Sequence, residues 1–224
     1  AADAGHFSVV GWTMSDPAAA KTLGHGLSGA PELIIVKNRT DSSTNWPVFS
    51  EVAGNTKYQY LSTTAAAATF NMWQNTSPNS TVFSVSSNNE ASGSANDEMI
   101  AYCFRSVPGV CKVGSYVGNF DHNGPYIHLG FKPSFFMLKE VTTTGSWYMH
   151  DFRRSPFNST NAAYIFADSH GGENVGADNE VDFLSDAAKI RGQNNGSNQS
   201  GSTFVYLAMA EIGGNGTLPP IYGR

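Results

Sequence analysis

The sequence predicts an all-β protein, a jelly-roll or concanavalin-like β-sandwich made of two tandem pseudo-repeats. Three observations lead there. The 224 residues repeat themselves at a spacing of about 100. The apolar segments are short, rich in Val, Ile, Phe, Tyr and Thr, and bounded by Gly, Pro, Asn and Asp. The polar surface comes from Gly, Ser, Thr and Asn, because charged residues make up only 14% of the chain.

The repeat rests on four anchors in the same order. Gly5-His6-Phe7-Ser8-Val9-Val10-Gly11-Trp12 falls on Gly109-Val110-Cys111-Lys112-Val113-Gly114-Ser115-Tyr116. Gly26, Pro31, Leu33-Ile34-Ile35-Val36 and Lys37 meet Gly130, Pro133, Phe135-Phe136-Met137-Leu138 and Lys139. Trp46 meets Trp147, and Ile100-Ala101-Tyr102-Cys103-Phe104 meets Val205-Tyr206-Leu207-Ala208-Met209. The offsets drift only between 101 and 105. This divides the chain into a first β repeat (1–106), a second (107–212) and a C-terminal tail (213–224). The joint at Ser106-Val107-Pro108-Gly109 is too short for a flexible linker, so the units are expected to pack together or share sheets.

Strands are expected over 7–13, 33–37, 46–49, 81–86 and 99–105, about six or seven per unit and about 13 in all. Leu33–Val36 and Phe135–Leu138 are continuous apolar runs, the pattern of strands covered on both faces. Pro17–Lys21 and Thr64–Thr69 read as a helical turn or two. Trp12 and Tyr116, like Trp46 and Trp147, are duplicated at matching strand positions, which argues for core packing.

Composition excludes several classes. The net charge is −5 with no basic run, so the electrostatic footprint of a nucleic-acid binder is missing. No apolar stretch reaches the 18 or so residues of a membrane-spanning helix. The chain opens on Ala1 without Met or a signal peptide, as expected of a processed chain or an excised fragment. Cys103 and Cys111 are two, too few for a disulfide framework, and a buried thiol is the ordinary reading.

No catalytic residue is assigned. The six histidines sit in no Gly-x-Ser-x-Gly, His-Glu-x-x-His or similar constellation. Glu180-Val181-Asp182-Phe183-Leu184-Ser185 is similar to the acidic strand of concanavalin-like β-glucanases, but Leu184 and Ser185 stand where the last carboxylate belongs. A retaining glycosidase needs two carboxyl groups about 5–5.5 Å apart. On a regular strand Asp186 would lie about 13 Å from Asp182. Glu180 and Asp182 are therefore expected to be exposed acids at the start of a strand.

Oxygen-rich loops suggest a metal site for Ca²⁺ at Asp121 and Asn123, or at Asp178 and Glu180, although neither follows a known calcium-loop spacing. Unduplicated aromatics in loops, Trp73 and Tyr126, are the candidates for glycan binding by stacking on a sugar.

Ala101-Tyr102-Cys103-Phe104, Val107-Pro108-Gly109, Lys112-Val113-Gly114-Ser115-Tyr116-Val117-Gly118-Asn119, Gly130-Phe131-Lys132-Pro133 and Phe204-Val205-Tyr206-Leu207-Ala208-Met209-Ala210-Glu211 resemble segments of tail-fibre and other virion proteins of tailed phages, particularly marine ones. The resemblance covers most of 5–212 and implies a non-catalytic virion surface protein: a tail fibre, head fibre or capsid decoration. Its implied partners are other virion proteins, further copies of itself (a trimer is favoured) and a host surface glycan. A free-standing lectin-like module is the alternative, and a glycan depolymerase a weaker third.

Overall fold

The computed structural model describes residues 5–14, 19–155, 158, 161–176 and 178–211. The tail at 213–224 and the start at Ala1 lie outside them. The first repeat holds β1 (Phe7–Thr13), β2 (Lys21–Gly24), β3 (Leu33–Asn38), β4 (Pro47–Ser50), β5 (Lys57–Tyr60), β6 (Ala68–Thr69), β7 (Val82–Val85) and β8 (Glu98–Phe104). The second holds β9 (Cys111–Val117), β10 (Tyr126–His128), β11 (Pro133–Glu140), β12 (Tyr148–Asp151), β13 (Ala162–Phe166), β14 (Asn174–Gly176), β15 (Val181–Phe183) and β16 (Ala187–Ile190). It ends with one helical turn, α1 (Asn195–Asn198), and β17 (Thr203–Ala210).

Each repeat builds its own six-stranded sheet, in order β1-β8-β3-β4-β5-β6 and β9-β17-β11-β12-β13-β14. The orders are the same, and so are the registers. Leu33 lies opposite Phe104 and Ser50, and Phe135 lies opposite Met209 and Asp151. Pairing therefore sets Leu33 on Phe135, Lys37 on Lys139 and Phe104 on Met209, as the sequence anchors require. The sheets are separate, so the repeats pack together without sharing one.

Period-2 alternation explains how the layers stack. Leu33, Ile35, Val48 and Phe104 point from the first sheet, and Cys111, Val113, Met137, Trp147, Val205 and Leu207 from the second, into one core between the repeats. Their sequence neighbours point the other way. Ile34, Val36, Phe49 and Cys103 pack under the β2-β7 pair and the Met72-Trp73 turn. Phe136, Leu138, Phe204 and Tyr206 pack under a three-stranded sheet, β10-β16-β15. β3 and β17 are thus covered on both faces, which accounts for their unbroken apolar runs. The result is a four-layered β-sandwich.

The joint between repeats is a tight turn. Val107 N–H donates to Cys111 O at 2.9 Å, and Gly109 takes φ +76°, a conformation that costs glycine little. Across the central core Trp147 Nε1 donates to Tyr60 O at 2.8 Å and Gln59 Nε2 to Glu140 O at 2.9 Å.

Three expectations need correction. Thr64–Thr69 forms no helix: Ala67 N–H donates to Val141 O, and Ala68–Thr69 pairs with β5. Six residues are too few to hold a helix against such pairing. Of Pro17–Lys21, positions 17 and 18 lie outside the described residues, and Lys21 opens β2. Trp147 is fully buried and Tyr116 is buried, but Trp12 and Trp46 are only partly covered, at the margins of their cores.

Candidate functional site

The outer sheet of the second repeat carries the candidate site. On β10, Ile127 points into the core, so Tyr126 and His128 must point out. Register places Tyr126 beside Lys189 on β16, and Lys189 beside Asp182 on β15. These three side chains form a row across the solvent face. Tyr126 is 52% exposed, so its ring is presented rather than packed.

The row is held by short polar contacts. Tyr126 Oη donates to Asp186 Oδ1 at 2.8 Å, which pushes the phenol's pKa up. His128 Nε2 lies 3.8 Å from Asp186 Oδ2, so one carboxylate sits beside both outward residues of β10. Lys189 Nζ donates to Gly124 O at 2.9 Å, and Lys112 Nζ to His128 O at 2.6 Å. Arg191 Nε stands 3.7 Å from Asp182 Oδ2. Burial raises the Asp182 pKa, with Arg191 and Lys189 pulling against it.

At one end of this row three loops meet. Asn198 Nδ2 donates to Asn119 Oδ1, Asp121 O and Gly192 O at 2.8–3.1 Å. His122 Nδ1 lies 3.1 Å from Arg191 O and 3.9 Å from Asp178 Oδ1. The two loops singled out for a cation therefore come together through His122. One carboxylate oxygen in each loop is turned to the backbone: Asp121 Oδ1 accepts from Asn123 N–H at 2.7 Å, and Glu180 Oε2 accepts from Asp178 N–H at 3.1 Å. Among the described residues no group of three or more His, Cys, Asp or Glu is arranged to hold a metal ion.

Other expectations change here. Trp73 is 1% exposed and meets Phe49 edge-on at 5.8 Å, with its Nε1 donating to Lys57 O at 2.9 Å. Its face is closed to a sugar, and it belongs to the core under the first sheet. Glu180 is buried, not exposed, and burial raises its pKa. Asp186 does not continue the strand of Asp182. Leu184 N–H donates to Ala187 O at 2.9 Å, turning the chain back, and this is what brings Asp186 to Tyr126. His25, which flanks the repeated glycine turn, is buried, with Nε2 2.9 Å from Asn79 O and Nδ1 accepting from Leu27 N–H. Those bonds make it a satisfied core histidine.

Residues 1–212 match the model of a domain of unknown function, DUF7483. The chain belongs to this family. The DUF7483 match spans both repeats and stops before the tail at 213–224. No curated protein and no solved structure is matched. In this DUF7483 chain Lys189 and Arg191 are the residues sequence reasoning missed, and Asp186 is one it set too far away. The β15-β16 hairpin and its register would have been needed to place them beside Tyr126.

Proposed function

We propose that this DUF7483 chain is a non-catalytic structural module on a virion surface, of the tail-fibre, head-fibre or capsid-decoration type, and that it meets host glycan through its β10-β16-β15 face. The presented ring of Tyr126 carries the glycan part of this reading. Its hydroxyl is pinned by Asp186 on a rigid sheet, so little ordering entropy is lost when a pyranose stacks on it. Asp186 at the ring's hydroxyl, His128 on the same strand, and Lys189 and Asp182 further along the row offer acceptors and donors suited to sugar hydroxyls. The virion part is supported by the sequence resemblance and by a low-charge, doubly covered β-scaffold.

A glycan array followed by titration calorimetry tests the reading. Tyr126→Ala should abolish the strongest array signal with the melting temperature unchanged, since the ring is outside the core. Binding unaffected by Tyr126→Ala and Asp186→Ala would refute this face as the site. The non-catalytic part has its own assay. Incubation with host polysaccharide should release no new reducing ends, and release abolished by Glu180→Gln would make the chain a depolymerase.

A further inference from the structure

The edge of the first sheet differs from the equivalent edge of the second. β1 and β9 are the same strand of the repeat, and in β9 the odd-numbered residues Cys111 and Val113 are buried in the core between the repeats. Their counterparts in β1 are Phe7 and Val9, which are 40% and 50% exposed. The first sheet thus overhangs the second, and its overhang is apolar. It continues from the inter-repeat core: Phe7 touches Phe104 at 5.0 Å between ring centres and stacks on Tyr102 at 6.4 Å.

The backbone of β1 is open as well. Met14 N–H donates to Asp97 O, and Arg105 N–H to His6 O, so even-numbered residues bond to β8. By alternation the N–H and C=O groups of Phe7, Val9, Gly11 and Thr13 point away from the sheet. Sheet edges are normally blunted by Lys, Pro, a bulge or brevity. β6 and β14 are two and three residues long, and β9 carries Lys112. β1 runs seven residues, Phe-Ser-Val-Val-Gly-Trp-Thr, with no charge and no proline.

We infer that β1 is a self-association edge, pairing antiparallel with β1 of a second copy across a twofold axis. Centring the pair on Val10 sets Val9 opposite Gly11 of the other copy and Phe7 opposite Thr13. All four are outward-bonding positions, so parity is satisfied on both strands. Gly11, without a Cβ, leaves room for the facing Val9. The two overhangs then join into one apolar floor continuous with both inter-repeat cores. An isologous contact closes on itself as a dimer, a different state from the trimer that the phage resemblance implies. The inference does not depend on the glycan reading.

Light scattering coupled to size exclusion, with amide exchange across a protein concentration series, tests it. A wild-type dimer is expected, with the Val9, Gly11 and Thr13 amides protected more strongly as concentration rises. Val9→Lys, at an exposed position, should weaken dimerisation by about tenfold or more, with the melting temperature unchanged at concentrations where both proteins are monomeric. Gly11→Val, which fills the room left for the facing Val9, should weaken it through a different contact. A wild-type monomer throughout the series, or an oligomer unaltered by both substitutions, overturns the inference. So does concentration-independent protection lost on deleting 213–224, which would assign the edge to the chain's own tail.

Discussion

His150 occupies in the second sheet the place that Phe49 occupies in the first. Ile34 lies opposite Phe49, and its counterpart Phe136 lies opposite His150. Phe49 is an ordinary core residue against Trp73, whereas His150 is buried between Tyr148 and Tyr164 with no hydrogen-bond partner on either ring nitrogen. An imidazole there is stable only when neutral. Burial holds its pKa down at about 4, from an ordinary 6.5, with Asp151 pulling up and Arg154 down.

The sign of the resulting pH dependence follows. Between pH 6.5 and 4 the unfolded chain binds a proton at this site that the folded chain refuses, so stability falls as pH falls through that window and levels off below it. Urea unfolding should show a loss of about 2 kcal/mol between pH 7 and 5 from this residue. His150→Phe, which copies the first repeat, should remove that share of the loss. An unchanged slope in the variant would show that His150 is not its source.

The two equivalent tryptophans should differ in cost. Trp147 is sealed in the central core and clasps Tyr60 O, so Trp147→Ala should destabilise by about 3–5 kcal/mol. Trp46 is half-buried, with Lys37 Nζ 5.6 Å from its ring centre, and Trp46→Ala should cost about 1–2 kcal/mol. Denaturant titration of the two variants checks the order.

Lys37 and Lys139 repeat a capping contact. Lys37 Nζ donates to Thr44 O at 2.8 Å, and Lys139 Nζ to Gly145 O, the same place in the hairpin after the strand. Lys139 also reaches Thr64 O in the other repeat at 2.9 Å and is fully buried, which lowers its pKa to about 8. Lys139→Met deletes both bonds of a fully buried amine and should cost about 1–3 kcal/mol. Lys37→Met should cost about 1 kcal/mol or less, since Lys37 itself is only partly buried.

Both thiols are free and buried, Cys103 under the first sheet and Cys111 in the central core. Burial pushes each thiol up to about 12, leaving almost no thiolate at neutral pH. Native protein should resist a thiol-specific disulfide reagent, and two equivalents should react in denaturant. Fast reaction of the folded chain would contradict the packing.

The scaffold was legible because the chain states it twice. Gly26 and Gly130, like Lys37 and Lys139, do the same job in both repeats, and Trp46 and Trp147 hold the same place, so alignment gave the equivalence of the halves and their main strands, though not the order in which they pair. β2, β5 and β6 were not read: they are short, and Tyr58 or Ala68 gains strand conformation only from a neighbour already in place. The site was half legible. Tyr126 stood out as an unduplicated aromatic, yet the same rule chose Trp73, because uniqueness in sequence does not distinguish a ring facing water from one closing a core. Asp186 was placed on a straight strand, and the turn at Leu184 was the missing fact.

The tight turn at Val107–Cys111 has a consequence for how the two repeats can change. Two separate chains meeting through their large sheets would have to find each other, and every substitution would appear in both. Tied together, the halves face one another at an effective concentration no solution provides, and each can be altered alone. That asymmetry is visible on the outside: one half is roofed by a two-stranded pair over Trp73, the other by a three-stranded sheet that displays Tyr126. The central core anchors both halves, so one roof is free to take up new surface chemistry without the other losing its footing.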